Sequence, residues 1–215
     1  MKKLLLLLLI STPLFAQDDL LAMLEKEDAK KVTYTQATFK GTRLINGQTV
    51  ETLAKQHLNF WISHRFGSVN SGFIDNFFGL DEAKIRLGLE YALTDRLLVG
   101  AGRSTIEKTY DFYGKYKAIA QSSVMPITAT FYGGMTTNTM PSGYTTSSGN
   151  VMRYENNLQR QSYFGQLLIA RKFSDKLSLQ IMPTALHNNK SESIYLENNM
   201  LSMGFGGRYK LTNRF

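Results

Sequence analysis

The chain has no cysteine, which removes disulfides, thiolate metal sites and cysteine nucleophiles from consideration. It has only 3 His, so imidazole bases and imidazole metal ligands are scarce. After Ala16 it also lacks any apolar run near the roughly twenty residues that a membrane helix needs. No phosphate loop is present: Gly204-Phe205-Gly206-Gly207 is not followed by Lys and a hydroxyl residue, and reads as glycine relief in a curved strand. Cations exceed anions, 25 against 17, but they are scattered through strand-like runs. A nucleic-acid binder concentrates them on one patch, so that class is set aside.

The first sixteen residues have the order of a secretory signal. Lys2 and Lys3 open it, residues 4–10 are apolar, and Pro13 precedes the small Ala16. Cleavage is expected after Ala16, although Leu14 is larger than ideal at its position. No Cys follows, which excludes a lipid anchor. Residues 17–31, with Leu20, Leu21 and Leu24, read as a short periplasmic helix or a flexible leader. An exported chain with 17 Gly, 11 Tyr and 13 Phe and no membrane helix is either a soluble periplasmic β-protein or an outer-membrane barrel.

A repeated turn phrase favours the barrel. It reads Leu93-Thr94-Asp95-Arg96-Leu97, Phe173-Ser174-Asp175-Lys176-Leu177 and Leu211-Thr212-Asn213-Arg214-Phe215. Short hydroxyl and Asx side chains favour tight turns by bonding nearby backbone groups. Between such turns lie runs of about ten residues with alternating polarity, the mark of a transmembrane strand. In residues 83–93, Ile85, Leu87, Leu89, Tyr91 and Leu93 share one face, and Lys84, Arg86, Gly88 and Glu90 share the other. Similar runs cover 56–66, 97–106, 110–119, 124–135, 161–173, 177–187 and 200–211. Long polar connections at 136–160 and 188–199 alternate with the tight turns, an asymmetry that places the long loops outside and the turns in the periplasm.

The expected fold is therefore all-β, an antiparallel up-and-down transmembrane β-barrel (a meander) over residues 32–215. Because the third turn phrase falls on the last residues, the barrel is expected to be truncated at its C-terminus and incompletely closed. Residues 34–45 and 49–54, joined by Asn46-Gly47, are read as a hairpin of the wall, which brings the strand count to about ten. The alternative for this segment is a plug inside the lumen.

Chemistry is sparse. Ser63 and His64 are adjacent in a strand and point to opposite faces, and His57 lies about 20 Å from Ser63 along it, so no local nucleophile pair forms. No enzyme activity, metal or cofactor is expected. Asp75, Asp81 and Glu82 read as solvated charges. Phe73, Ile74, Phe77 and Phe78 recur at helical spacing with Gly79 as a stop, and form a candidate mouth or plug loop that could constrict the lumen or bind an apolar ligand. Arg43, Arg65, Lys84, Arg86, Glu90, Arg103, Lys115 and Lys117 are the candidate lumen-lining residues. In an open pore they would concentrate small anionic solutes. In a filled barrel they would be charge-paired and pass nothing.

A set of phrases between Phe39 and Lys117 carries a family resemblance. They are Phe39-Lys40-Gly41-Thr42-Arg43-Leu44-Ile45-Asn46-Gly47, Ile62-Ser63-His64-Arg65-Phe66-Gly67, Phe78-Gly79-Leu80-Asp81, Ile85-Arg86-Leu87-Gly88-Leu89-Glu90-Tyr91, Thr94-Asp95-Arg96 and Glu107-Lys108-Thr109-Tyr110. The stretch resembles an uncharacterised family of outer-membrane β-barrel proteins from Bacteroidetes-type bacteria. The resemblance implies a barrel among outer-membrane lipids, a longer whole protein and no catalytic residue. The expected function is porin-like passage of small solutes. The alternatives are an accessory barrel that docks a protein partner through its external loops, or apolar-ligand binding at residues 72–82.

Overall fold

The computed structural model describes residues 32–146, 148–191 and 197–212. The expected signal and leader, part of the second long loop and the end of the third turn phrase lie outside the described residues. Among the described residues twelve strands are formed. β1 (Arg43–Leu44) and β2 (Gly47–Gln48) make a short ribbon. The others are β3 (Leu58–Arg65), β4 (Lys84–Ala92), β5 (Leu97–Ser104), β6 (Thr109–Ile119), β7 (Thr128–Asn138), β8 (Tyr144–Thr145), β9 (Val151–Met152), β10 (Gln161–Lys172), β11 (Leu177–Asn188) and β12 (Asn199–Tyr209).

Eight of them form one antiparallel meander in the order β3-β4-β5-β6-β7-β10-β11-β12, and β8 pairs only with β9. β3 and β12 do not pair, so the sheet is not closed. Every run with period-two alternation has become a strand of this sheet, because one face can be buried only if side chains alternate. The turn phrases work as their hydroxyls suggest. Thr94 Oγ1 accepts from Arg96 N at 3.2 Å and Leu97 N at 3.0 Å, and Ser174 Oγ accepts from Lys176 N and Leu177 N, each at 3.2 Å. Ser122 Oγ does the same for Val124 N and Met125 N. In the Ser174 turn, a hydrogen bond from the Lys172 ammonium at 3.1 Å holds the Asp175 carboxyl below its usual range. Inside β11, Pro183 offers no N–H, and the β10–β11 register has no partner for Leu167 or Leu168.

The two faces differ sharply. Leu58, Phe60, Ile62, Leu87, Leu89, Phe112, Phe131 and Phe205 stand exposed on one, while Glu90, Lys115, Thr130 and Gln180 are buried on the other. This inverts a soluble protein and fits a wall whose outer face meets acyl chains. Leu89→Arg on the exposed face is expected to cost about 2–4 kcal/mol of bilayer stability if it sits near mid-depth. Urea titration of folded protein in lipid vesicles measures it, and an unchanged midpoint would contradict a lipid-facing position.

Residues 33–57 do not enter the wall, contrary to the hairpin expectation. They form a strap. It begins at the tight-turn end, where Thr35 N donates to Gln121 O and Ser123 N to Thr33 O. It then dips along the buried face, turns at Ile45-Asn46, and returns to the same end, where Thr52 Oγ1 and Lys55 N reach Asp95. The turn is one residue earlier than Asn46-Gly47 suggests: Ile45 takes φ 54°, a strained value for a β-branched residue. That register sets Arg43 opposite Gln48. Tertiary bonds to both, described below, outweigh the local turn preference.

The strap also reveals how far the sheet curls. Arg43 lies over Trp61 of β3, and a Cβ built on Gly206 of β12 would come within 2.7 Å of Leu44 Cδ2. In a flat sheet, seven strand spacings would hold those edges about 34 Å apart. Two consecutive strap residues touch both, so the sheet wraps around the strap even though its edges do not bond. The apolar core lies here, with Phe39 and Val50 packed on Leu168, Ala170 and Met182.

Candidate functional site

The inner face is built by pairing the strap's polar groups with those of the wall. Lys115 is 1% exposed; its ammonium donates to Glu51 O at 2.5 Å, Thr42 O at 3.2 Å and Gln48 Oε1 at 3.3 Å. Glu90, also 1% exposed, accepts from Arg43 Nη2 at 2.8 Å, Tyr113 Oη at 2.7 Å and Asn59 Nδ2 at 3.4 Å. Lys117 pairs with Glu51 at 3.2 Å. Val50 N donates to Gln180 Oε1 at 2.9 Å, and Gln180 Nε2 returns a bond to Gln48 O at 2.7 Å. Thr130 Oγ1 donates to Val50 O at 3.0 Å. Strap backbone groups lose their bonds to water on entering the wall, and these side chains replace them.

Above the strap, toward the long-loop ends of the strands, a cavity of about 480 Å³ remains. Arg43, Trp61, Arg65, Arg86, Tyr132 and Phe164 are among its lining residues. The guanidinium carbons of Arg43 and Arg86 stand 3.9 and 4.3 Å from the Trp61 ring centre. Arg86 also forks onto Asp111, with Nε to Oδ1 at 2.9 Å and Nη2 to Oδ2. Glycines make the room. A Cβ on Gly88 or Gly100 would lie 2.3 Å from Trp61 or Tyr113, and one on Gly102 would lie 2.3 Å from Arg86. Gly88, Gly100 and Gly102 thus serve as seats for large inner side chains.

The structure gathers most of the candidate lumen residues. Arg43, Arg86, Glu90, Lys115 and Lys117 face the strap or the cavity, and Arg65 lines the cavity rim. Lys84 pairs with Arg65 across β3 and β4 and is exposed. Arg103 falls on the other face: it sits opposite Leu87 and lies over the Tyr110 ring at 5.5 Å. The β5 run alternates Val99, Ala101 and Arg103 with Gly100 and Gly102, and glycine gives no polarity from which to read the inner side. Sequence reading missed Trp61, Tyr113, Glu51, Asp111, Gln48 and Gln180. For Asp111 a signal existed, since it shares one face of β6 with Lys115 and Lys117.

Phe73, Ile74, Phe77 and Phe78 are not among the residues lining the cavity above the strap. Only Phe73–Asn76 is α-helical, flanked by short 3-10 turns, and Phe77 and Phe78 turn left-handed at φ 41° and 56°. Phe73, Phe77 and Phe78 cluster with ring centres 5.3–6.3 Å apart, and all three remain about half exposed, with Ile74 92% exposed. The histidines stand apart from Ser63. His57 bonds Lys55 O, His64 stacks near Phe66, and His187 bonds Asn199 and Asn189. The long loop is ordered by Arg160, whose Nη1 donates to Met140 O at 2.5 Å and Asn138 O at 3.3 Å, and by Asn138 Nδ2 donating to Tyr144 Oη at 2.7 Å.

No curated protein and no solved structure matches the chain. One family model matches residues 39–215, so it spans the strap from Phe39 as well as the meander. With a lipid-facing outer surface, a polar inner face and this match, the chain belongs to the DUF5777 family, described as a membrane bound beta barrel domain.

Proposed function

We propose that this is an outer-membrane barrel for small, anionic solutes that its own strap holds shut at rest. The observation that carries the reading is residues 39–51, which occupy the inner face and bond wall residues from β4 to β11. An open diffusion pore needs a hydrated path along that face, and here Val50, Thr49, Lys115 and Glu90 are all at most 1% exposed. The strap is tethered at the tight-turn end, so the remaining cavity opens toward the long loops. Solutes would enter that vestibule and pass only when the strap withdraws.

Planar-bilayer recording tests it, with folding checked by heat-modifiable gel migration. Wild type is expected to be closed for most of the recording. Glu51→Ala, which removes the Lys117 pair, is expected to raise open time several-fold. Steady large conductance from wild type, or a folded Glu51→Ala as silent as wild type, would refute gating by the strap.

A second reading rests on the ordered long loop, where β8 and β9 form a hairpin pinned to the wall by Arg160. Such a platform suits docking of a protein partner. Membrane pull-downs with and without residues 140–157 separate the readings, and identical partners would count against docking.

A further inference from the structure

The vestibule has a feature that gating does not use. Three of its buried nitrogens, Arg43 Nε, Trp61 Nε1 and Arg86 Nη1, have no acceptor among the described residues. All three belong to the stack of two guanidiniums on one indole. A buried donor without an acceptor is costly, so three in one stack are not explained by stability. Arg65 on the same rim has no ion pair or hydrogen bond among the described residues, and its side chain is exposed. Asp111 and Glu90 neutralise two of the three arginines. The cavity therefore keeps one unmatched positive charge beside a group of unsatisfied donors.

We propose that the vestibule is a binding site for an oxyanion, a phosphate or carboxylate carried on a small organic body. Arg65 supplies the free charge and the fork that matches two oxygens. Arg43 and Arg86, with side chains 29% and 20% exposed, turn their outer edges to the same group. Small rotations of that stack bring its orphaned donors to the anion. Phe164 and Tyr132, whose rings lie 5.1 Å apart, offer an apolar wall for the organic part. A cavity of about 480 Å³ limits that body to metabolite size. The inference deepens the solute reading above by naming what the vestibule holds, but binding is measured without current, so the two fail separately.

The chain carries one tryptophan, and it lies in the stack, so Trp61 emission reports the site directly. Refolded full-length protein in neutral detergent is titrated with glycerol phosphate, citrate and sodium chloride at constant ionic strength. A parallel arm uses phosphatidylglycerol in mixed micelles to separate a dissolved solute from a lipid headgroup. The expected result is a saturable change with glycerol phosphate or citrate and none with chloride. Arg65→Gln, which breaks no ion pair or hydrogen bond among the described residues, is expected to weaken it at least tenfold with heat-modifiability intact. A response only to phosphatidylglycerol would overturn the solute proposal in favour of a lipid headgroup. No saturable response, or one indifferent to Arg65→Gln, would overturn the site altogether.

Discussion

Glu90→Ala is expected to lower the stability of the folded barrel by about 3–5 kcal/mol, the cost of removing one partner from a buried ion pair. The carboxylate is the hub of Arg43, Tyr113 and Asn59. Without it the Arg43 guanidinium stays under Trp61 with its main counter-charge gone, and the Tyr113 hydroxyl loses its acceptor at 2.7 Å. Glu90→Gln keeps the shape and part of the bonding, so it should cost clearly less. Urea midpoints of vesicle-folded protein, read by heat-modifiable migration, distinguish the two. Equal, small shifts for both variants would mean that the strap does not depend on this charge. Because Arg43 anchors the ribbon, Glu90→Ala should also raise open time in bilayers, linking stability to gating.

Lys115→Met should cost a similar amount, about 3–5 kcal/mol, through the other half of the strap. Methionine approximates the length of the lysine stem but offers no donor. Glu51 O and the Gln48 amide oxygen would then be left in a closed interior, at about 1–3 kcal/mol for each acceptor that finds no substitute, while Thr42 O keeps its bond from Thr49 N. A buried cation that met only its own charge partner can be replaced by an apolar side chain at little cost. Here the partners are mostly carbonyls of the strap, which cannot be removed with it. The measurement is again the urea midpoint, together with protease cutting within residues 39–56. If Lys115→Met is as stable and as protected as wild type, the ammonium is not what holds the strap.

Most of the wall was legible in the sequence because sheets announce themselves locally. Alternation in residues 83–93 and the hydroxyls of Thr94 and Ser174 give strand, face and turn without distant information. The hairpin reading of residues 34–54 failed because Asn46-Gly47 is a local signal too, whereas the strap's register is decided by Lys115, Glu90 and Gln180, far away along the chain. The same limit explains the site. Arg86, Glu90, Lys115 and Lys117 could be picked out as inward charges from period two alone. Their partners could not, since nothing in one strand says which opposite charge the curl will bring to it. Arg103 went astray where Gly100 and Gly102 emptied the pattern of polarity. The Phe73 cluster kept its spacing but not its helix, because Phe77 and Phe78 adopt left-handed backbone after a single turn.

The strap's position in the chain has a consequence for assembly. Neighbouring wall strands meet after short excursions, whereas Val50 and Gln180 bond across 130 residues and Gln48 and Gln180 across 132. Contacts between distant residues form late, after the entropy of closing the intervening loop has been spent. Yet these residues precede every described wall strand in the chain and must end inside all of them. A finished cylinder would have to admit the strap through its tight-turn end, past Asp95 and Gln121. An unfinished sheet can simply curl over it. The strap's place inside the wall thus favours a sheet that curls around it as a mandrel, and the rate of final curling, more than of strand pairing, would set how fast this protein matures.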